Sequence, residues 1–212
     1  MARPEFLPPL HVVTDDEVVG RTDFVDYARL ILETGGPDIA FHLRAPRASG
    51  RCLHSLTRAL IGVAADRGAV LLVNDRIDVA LAAADGAQVG ARGVRVRDAR
   101  RMLGPDRLLG ASVHTAAEAS DLGAEGADFV IAGTIWPTPS HPAREGAGLE
   151  LIRKIAAAKI PVIAIGGVTP ERAAEAREAG GSGIAVIRGV WDTADPAEAV
   201  REYLKYWKGT DV

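Results

Sequence analysis

Short, unbroken apolar runs alternate with stretches whose apolar residues recur every three or four positions, and the alternation continues along the whole chain. The runs at 10–14, 39–44, 69–73, 86–89, 108–112, 129–133, 162–165 and 183–187 predict strands. The periodic stretches at 23–34, 53–67, 97–103, 116–122, 149–158, 170–179 and 197–207 predict helices. In the first of these Phe24, Tyr27, Ala28, Ile31 and Leu32 share a face; in the second Leu53, Leu56, Leu60 and Val63 do, and Gly68 supplies the stop. Strands buried on both faces read as continuous apolar runs, as 162–165 does. Regular alternation of strand and helix implies a parallel sheet. Eight strands alternating with helices in 212 residues fit a closed (β/α)₈ TIM barrel better than an open doubly wound sheet. No shift in composition marks a second domain, so residues 1–212 are expected to form one.

Composition narrows the class without changing the fold. Hydrophobic residues make up 48% and charged residues 25%, which suits a globular core. The net charge of −3 excludes bulk nucleic-acid binding, which needs a positive surface. The local cluster Arg92, Arg95, Arg97, Arg100 and Arg101 reads as a solvated helix face. The single cysteine, Cys52, excludes an internal disulfide and a cysteine zinc cluster, and its amphipathic surroundings predict a buried thiol. No segment has the apolar length of a signal peptide or a membrane span, so a cytoplasmic protein with no membrane partner is expected.

Barrel active sites sit on the loops after the strands, at their C-terminal ends. The polar residues at or near those ends are therefore the candidates. They are His11 and Thr14, His42 and Arg44, Asn74 and Asp75, Gln88, Ser112 and His114, and Thr134. Residues two apart share a strand face, so His42 and Arg44 point together, as do Ser112 and His114. The loop 137–148, which carries Thr138 and His141, is long enough for a lid or binding loop. Strands seven and eight run into Gly166-Gly167 and Ile187-Arg188-Gly189, where backbone N–H groups suit a phosphate.

At these residues the chain resembles the superfamily of thiamine-phosphate synthase and the TenI-type thiazole tautomerase. The elements are LHVVTDD at 10–16, FHLR at 41–44, NDRIDVAL at 74–81, DGAQVG at 85–90, GASVHTAAEA at 110–119, ADFVIAGTIWPTPS at 127–140, PVIAIGGVTPE at 161–171 and GIAVIRGVW at 183–191. The synthase branch implies Mg²⁺ and a pyrimidine pyrophosphate joined to a thiazole phosphate. Its Arg-Glu-Lys after strand two stands here as Arg44-Ala45-Pro46, and its Asn-Asp is kept as Asn74-Asp75. A second acid stands as Gly93, the strand-six lysine as His141, and a pyrimidine-contacting Gln and His as His42 and Gln88. The tautomerase branch implies aromatisation of a carboxythiazoline phosphate by proton transfer, with no metal. That branch can carry a His where this chain has Thr134.

On these residues the resemblance favours the tautomerase without a cofactor, Arg44 holding a carboxylate and His42, His114 or His141 moving the proton. His42 ranks first because it shares a face with Arg44. His11, Asn74, Gln88, Ser112, Thr134 and Thr138 would line the substrate, and Gly166, Gly167, Ile187, Arg188 and Gly189 its phosphate. The alternatives are a synthase using Mg²⁺ on Asp75, and a non-catalytic regulator that binds a phosphorylated thiazole. Assembly into a homo-oligomer stays open.

Overall fold

The computed structural model describes residues 7–91, 93–138 and 145–209, so Arg92 and the candidate His141 lie outside the described residues. The strands are β1 (Leu10–Val13), β2 (Ile39–Leu43), β3 (Val70–Asn74), β4 (Gly86–Val89), β5 (Leu108–Val113), β6 (Phe129–Gly133), β7 (Val162–Ile165) and β8 (Gly183–Val186). Each pairs in parallel with the next, and β8 pairs with β1, which closes the (β/α)₈ barrel. The helices are α1 (Asp16–Val19), α2 (Phe24–Gly35), α3 (Gly50–Arg67), α4 (Ile77–Ala83), α5 (Val96–Leu103), α6 (Ala116–Ala124), α7 (Gly148–Ala157), α8 (Pro170–Glu178), α9 (Arg188–Trp191) and α10 (Pro196–Lys208).

Strand alternation sorts the core into two shells. Residues of one parity, among them Leu10, Val12, Phe41, Leu43, Leu71, Val73, Val130 and Ala132, pack outward against the helices. The other parity fills the barrel with Val13, Ala40, Val70, Leu72, Leu108, Phe129, Ile131, Ile163 and Ala185. Phe129 fills the centre because the facing position is Gly110, where any Cβ would run into its ring.

Local chemistry sets the helix ends. Ser49 caps α3 through a bond from the Cys52 N–H, and Gly68 ends it in the left-handed region at φ 71°. Thr115 and Glu118 form a reciprocal capping box on α6. At the β8–β1 seam Trp191 is fully buried. Its indole donates to the Val13 carbonyl at 3.0 Å, and its ring stacks on Phe24 and meets Phe41 edge-on.

The structure corrects several expectations. Helix α4 is absent from the sequence reading because its run is short and its N-cap, Arg76, makes no side-chain capping bond. The four-residue helices α1 and α9 are too short to show periodicity. Cys52 is exposed, since it lies on the solvent side of the α3 stripe formed by Leu53, Thr57, Leu60 and Ala64. Arg100 is no solvated residue: it bonds the carbonyls of Gly104, Arg107 and Gly126 and pairs with Asp128 at 2.7 Å. Asn74 is the last residue of β3 rather than part of the following loop.

Candidate active site

A belt of polar side chains crosses the inner wall from β1 to β5. His11 Nδ1 and His42 Nε2 share a hydrogen bond of 2.8 Å. The Asn74 amide donates to the Gln88 carbonyl oxygen, and Gln88 donates to Ser112 Oγ at 2.7 Å and to the Val89 carbonyl. Phe129 meets both imidazoles edge-on, at 5.3 and 6.4 Å between centroids. Both histidines are fully buried. Burial, which disfavours the charged ring, pushes His42 down to about 4 and His11 well below the usual histidine range; for His11 the neighbouring His42 adds to it. Among the described residues His11 Nε2, His42 Nδ1 and Asn74 Oδ1 are buried without a well-formed hydrogen bond, with the Pro8 backbone beside His11 and the Asn74 side chain beside His42. Such atoms are costly to leave bare, so the belt is arranged to hydrogen-bond something further.

Thr14, also a candidate, is consumed locally. Its hydroxyl donates to the Arg44 carbonyl and accepts from the Arg44 N–H, both at 2.8 Å. That clamp fixes the backbone of Arg44. The Arg44 guanidinium is half-buried and makes no bond or ion pair among the described residues. Asp75 has a left-handed φ of 59°. Its Oδ1 accepts from the Gly90 N–H at 2.8 Å, tying β3 to the loop after β4. Gly93 packs against the same oxygen: a Cβ there would lie 2.6 Å from Asp75 Oδ1.

His114 differs from the buried pair. It is exposed, and its Nδ1 meets the Gly133 carbonyl at 2.5 Å. A carbonyl only accepts, so Nδ1 carries a proton, and Nε2 is the ring nitrogen without a protein partner among the described residues. Its backbone N–H is held by Glu118. The first-ranked His42 is therefore the poorer proton carrier, being buried, tied to His11 and hard to protonate.

A cavity of about 180 Å³ opens between the loops after β6, β7 and β8. Thr134, Thr138, Gly166, Gly167, Ile187, Arg188 and Gly189 all line it. The glycines have further reasons to be glycine. Gly167, at φ 67°, would place a Cβ 2.6 Å from the Pro137 carbonyl oxygen. A Cβ at Gly189 would strike the Tyr203 hydroxyl. Gly167→Val is thus no clean test of ligand approach, because it would also displace the loop after β6. The Arg188 side chain is engaged by Asp15 at 2.9 Å and Glu17 at 2.7 Å, which leaves its backbone as the part facing the cavity. Behind this cavity stand Arg172 and Tyr203, which no pattern in the sequence singles out. Arg172 donates to the Gly167 carbonyl and Tyr203 to the Val168 carbonyl.

Comparison with known proteins fits this arrangement. Residues 10–190 match the family described as "Thiamine monophosphate synthase". The chain belongs to the thiamine-phosphate synthase/TenI family. Among curated members it is 42% identical over 195 residues to thiamine-phosphate synthase of Methanoculleus marisnigri, covering 91% of this chain and 92% of that one. It is 39% identical to the synthase of Moorella thermoacetica over the same shares. Among solved structures of the family, thiamine phosphate pyrophosphorylase from Pyrococcus furiosus superposes with a TM-score of 0.83 at 34% identity, covering 95% of this chain and 96% of that one. The chain is thus an enzyme of thiamine biosynthesis in this superfamily, and the two curated relatives compared carry the synthase name. No helix among the described residues is long and apolar enough to cross a membrane.

Proposed function

We propose that the protein is a thiamine-phosphate synthase that joins a pyrimidine pyrophosphate to a thiazole phosphate. One observation carries this reading: the inner wall from β1 to β5 carries a belt of side-chain donors and acceptors, and a separate cavity opens after β6, β7 and β8. The belt of donors and acceptors from His11 to Ser112 suits a flat nitrogen heterocycle. The cavity after β7 and β8 suits a phosphate. A reaction with two heterocyclic substrates needs both. The identity of 42% to a named synthase supports this reading over the tautomerase.

In this reaction the thiazole nitrogen bonds to the pyrimidine methylene carbon, and pyrophosphate leaves with the electrons of the broken C–O bond. The belt would orient the pyrimidine, and the backbone cradle would hold the thiazole phosphate, so that nitrogen and carbon meet in line. Arg44, charged and otherwise unpaired, would take the pyrophosphate. The family implies Mg²⁺, which is usually held by one or two carboxylates plus substrate phosphates. The described residues fit that minimum: Asp75 engages one carboxylate oxygen with the Gly90 N–H and keeps the other without a partner among the described residues. When bound, Mg²⁺ would neutralise charge on the pyrophosphate.

A second reading, thiazole tautomerase, has its own observation in His114, an exposed imidazole whose orientation is fixed by the Gly133 carbonyl. The deciding assay gives purified protein both synthase substrates with Mg²⁺, and separately the carboxythiazoline phosphate. Thiamine phosphate formation that EDTA abolishes and Mg²⁺ restores is the expected result. Aromatisation above the buffer rate with no thiamine phosphate would replace the synthase by the tautomerase. Calorimetric binding without either turnover would leave a regulator.

A further inference from the structure

We infer that Arg172 and Tyr203 are positioning residues that build the phosphate cradle from behind. The inference rests on the reading that the cavity after β7 and β8 holds the substrate phosphate.

Arg172, in the first turn of α8, donates Nη1–H to the Gly167 carbonyl at 2.6 Å. Its guanidinium also lies over the Trp136 ring, 5.5 Å from the centroid. Trp136 is in turn bound to the Gly166 carbonyl through its backbone N–H at 3.0 Å. Arg172 therefore clamps the loops after β6 and β7 together. Tyr203, buried on α10, donates its hydroxyl to the Val168 carbonyl at 3.0 Å. The same hydroxyl lies under Gly189, so it also sets the height of the loop after β8. Burial pushes the phenol up to about 12, so it stays a donor across the working pH range.

The geometric consequence comes from the planar trans peptide, in which C=O and the next N–H point to opposite sides. The carbonyls of Gly167 and Val168 are drawn toward the helix layer by side chains of α8 and α10. The N–H groups of Val168 and Thr169 must then point away from that layer, and Val168 lines the cavity. Neither donates to a protein acceptor among the described residues. Two such donors on adjacent residues, held by charged and aromatic side chains behind them, add a backbone anion site beside a cavity that Thr134 and Thr138 also line. Without the pins the peptides are free to turn and present carbonyl oxygens to the anion instead.

The test titrates wild type, Arg172→Ala, Arg172→Lys and Tyr203→Phe with thiazole phosphate, and with the same thiazole alcohol lacking the phosphate. Wild type should prefer the phosphorylated form. Arg172→Ala and Tyr203→Phe should each lose about tenfold in affinity for that form and keep their affinity for the alcohol. Arg172→Lys should regain part of the loss, since lysine can donate to Gly167 without the planar stack. In turnover the loss should fall on KM for thiazole phosphate rather than kcat. A folded Arg172→Ala protein with undiminished preference for the phosphorylated thiazole would overturn the inference. A wild type with no such preference would instead remove the phosphate-cradle reading on which it stands.

Discussion

At the residue scale, the buried imidazole pair makes stability depend on pH in a defined window. His42 is held at about 4 and His11 is also lowered, both chiefly by burial, so both are neutral in the fold. In the unfolded chain a histidine titrates near 6.5, so between about 6.5 and 4 the unfolded state binds more protons. The contribution is therefore complete above about pH 6.5 and is lost as the pH falls toward 4. For His42 alone the loss reaches on the order of 3 kcal/mol. Thermal unfolding from pH 7 to pH 4 should show a falling Tm, and His42→Gln should flatten the slope. An equally steep slope in the variant would mean that other groups carry it. Asp75 offers a second residue-level test, because its two oxygens have separable jobs. Asp75→Asn keeps an acceptor for the Gly90 N–H and tolerates the left-handed φ. Unfolding free energy should stay within about 0.5 kcal/mol, while Mg²⁺-dependent turnover drops at least about tenfold. Equal turnover in the two proteins would confine Asp75 to its role as a loop clamp. The sequence showed that His42 and Arg44 share a face, as do Ser112 and His114, because parity is local. It did not show that His42 is paired with His11 or that His114 is held by Gly133, because those contacts join distant strands.

At the element scale, legibility followed length and capping. Strands β4, β6 and β7 appear within the bounds that their apolar runs predict, since glycine or proline punctuates them closely. Helix α4 was missed because no cap announces it, and α9 because four residues hold no period. Helix α9 is held by tertiary contacts, since so short a helix has little stability of its own. Its anchor is Trp191, with the indole bond to Val13 and the stack on Phe24. Trp191→Phe keeps most of the ring and deletes the bond, leaving the Val13 carbonyl short of a partner. The expected cost is about 1–3 kcal/mol in urea unfolding. Because Gly189 lies on α9, the same variant should also weaken phosphate binding. A variant as stable as wild type would show that packing alone holds the element. Arg172 and Tyr203 mark the limit of reading a site from strand ends: they act through backbone carbonyls, and a sequence carries no sign of which carbonyl a side chain will reach.

At the scale of the whole molecule, closure of the sheet divides the mouth into two sectors with different chemistry. The strands β1 to β5 contribute side-chain donors and acceptors, and the loops after β6, β7 and β8 contribute mainly backbone. A heterocycle is recognised by its pattern of donors and acceptors, which needs side chains fixed in a dry wall. A phosphate is recognised by charge and many equivalent oxygens, which backbone N–H groups can serve. If each sector holds its own ligand, the two should bind together without competing. An aminopyrimidine alcohol and inorganic phosphate should then stabilise the fold additively. Each ligand at about a hundredfold above its Kd adds about 2.7 kcal/mol, and both together should approach the sum. Differential scanning fluorimetry with each ligand alone and with the mixture measures this directly. Loss of the belt through Gln88→Ala should remove the pyrimidine increment and leave the phosphate increment, and Arg172→Ala should do the reverse. A mixture no better than the stronger ligand alone would mean one shared site, and a barrel with one shared site has no room for the two-substrate reaction proposed for it.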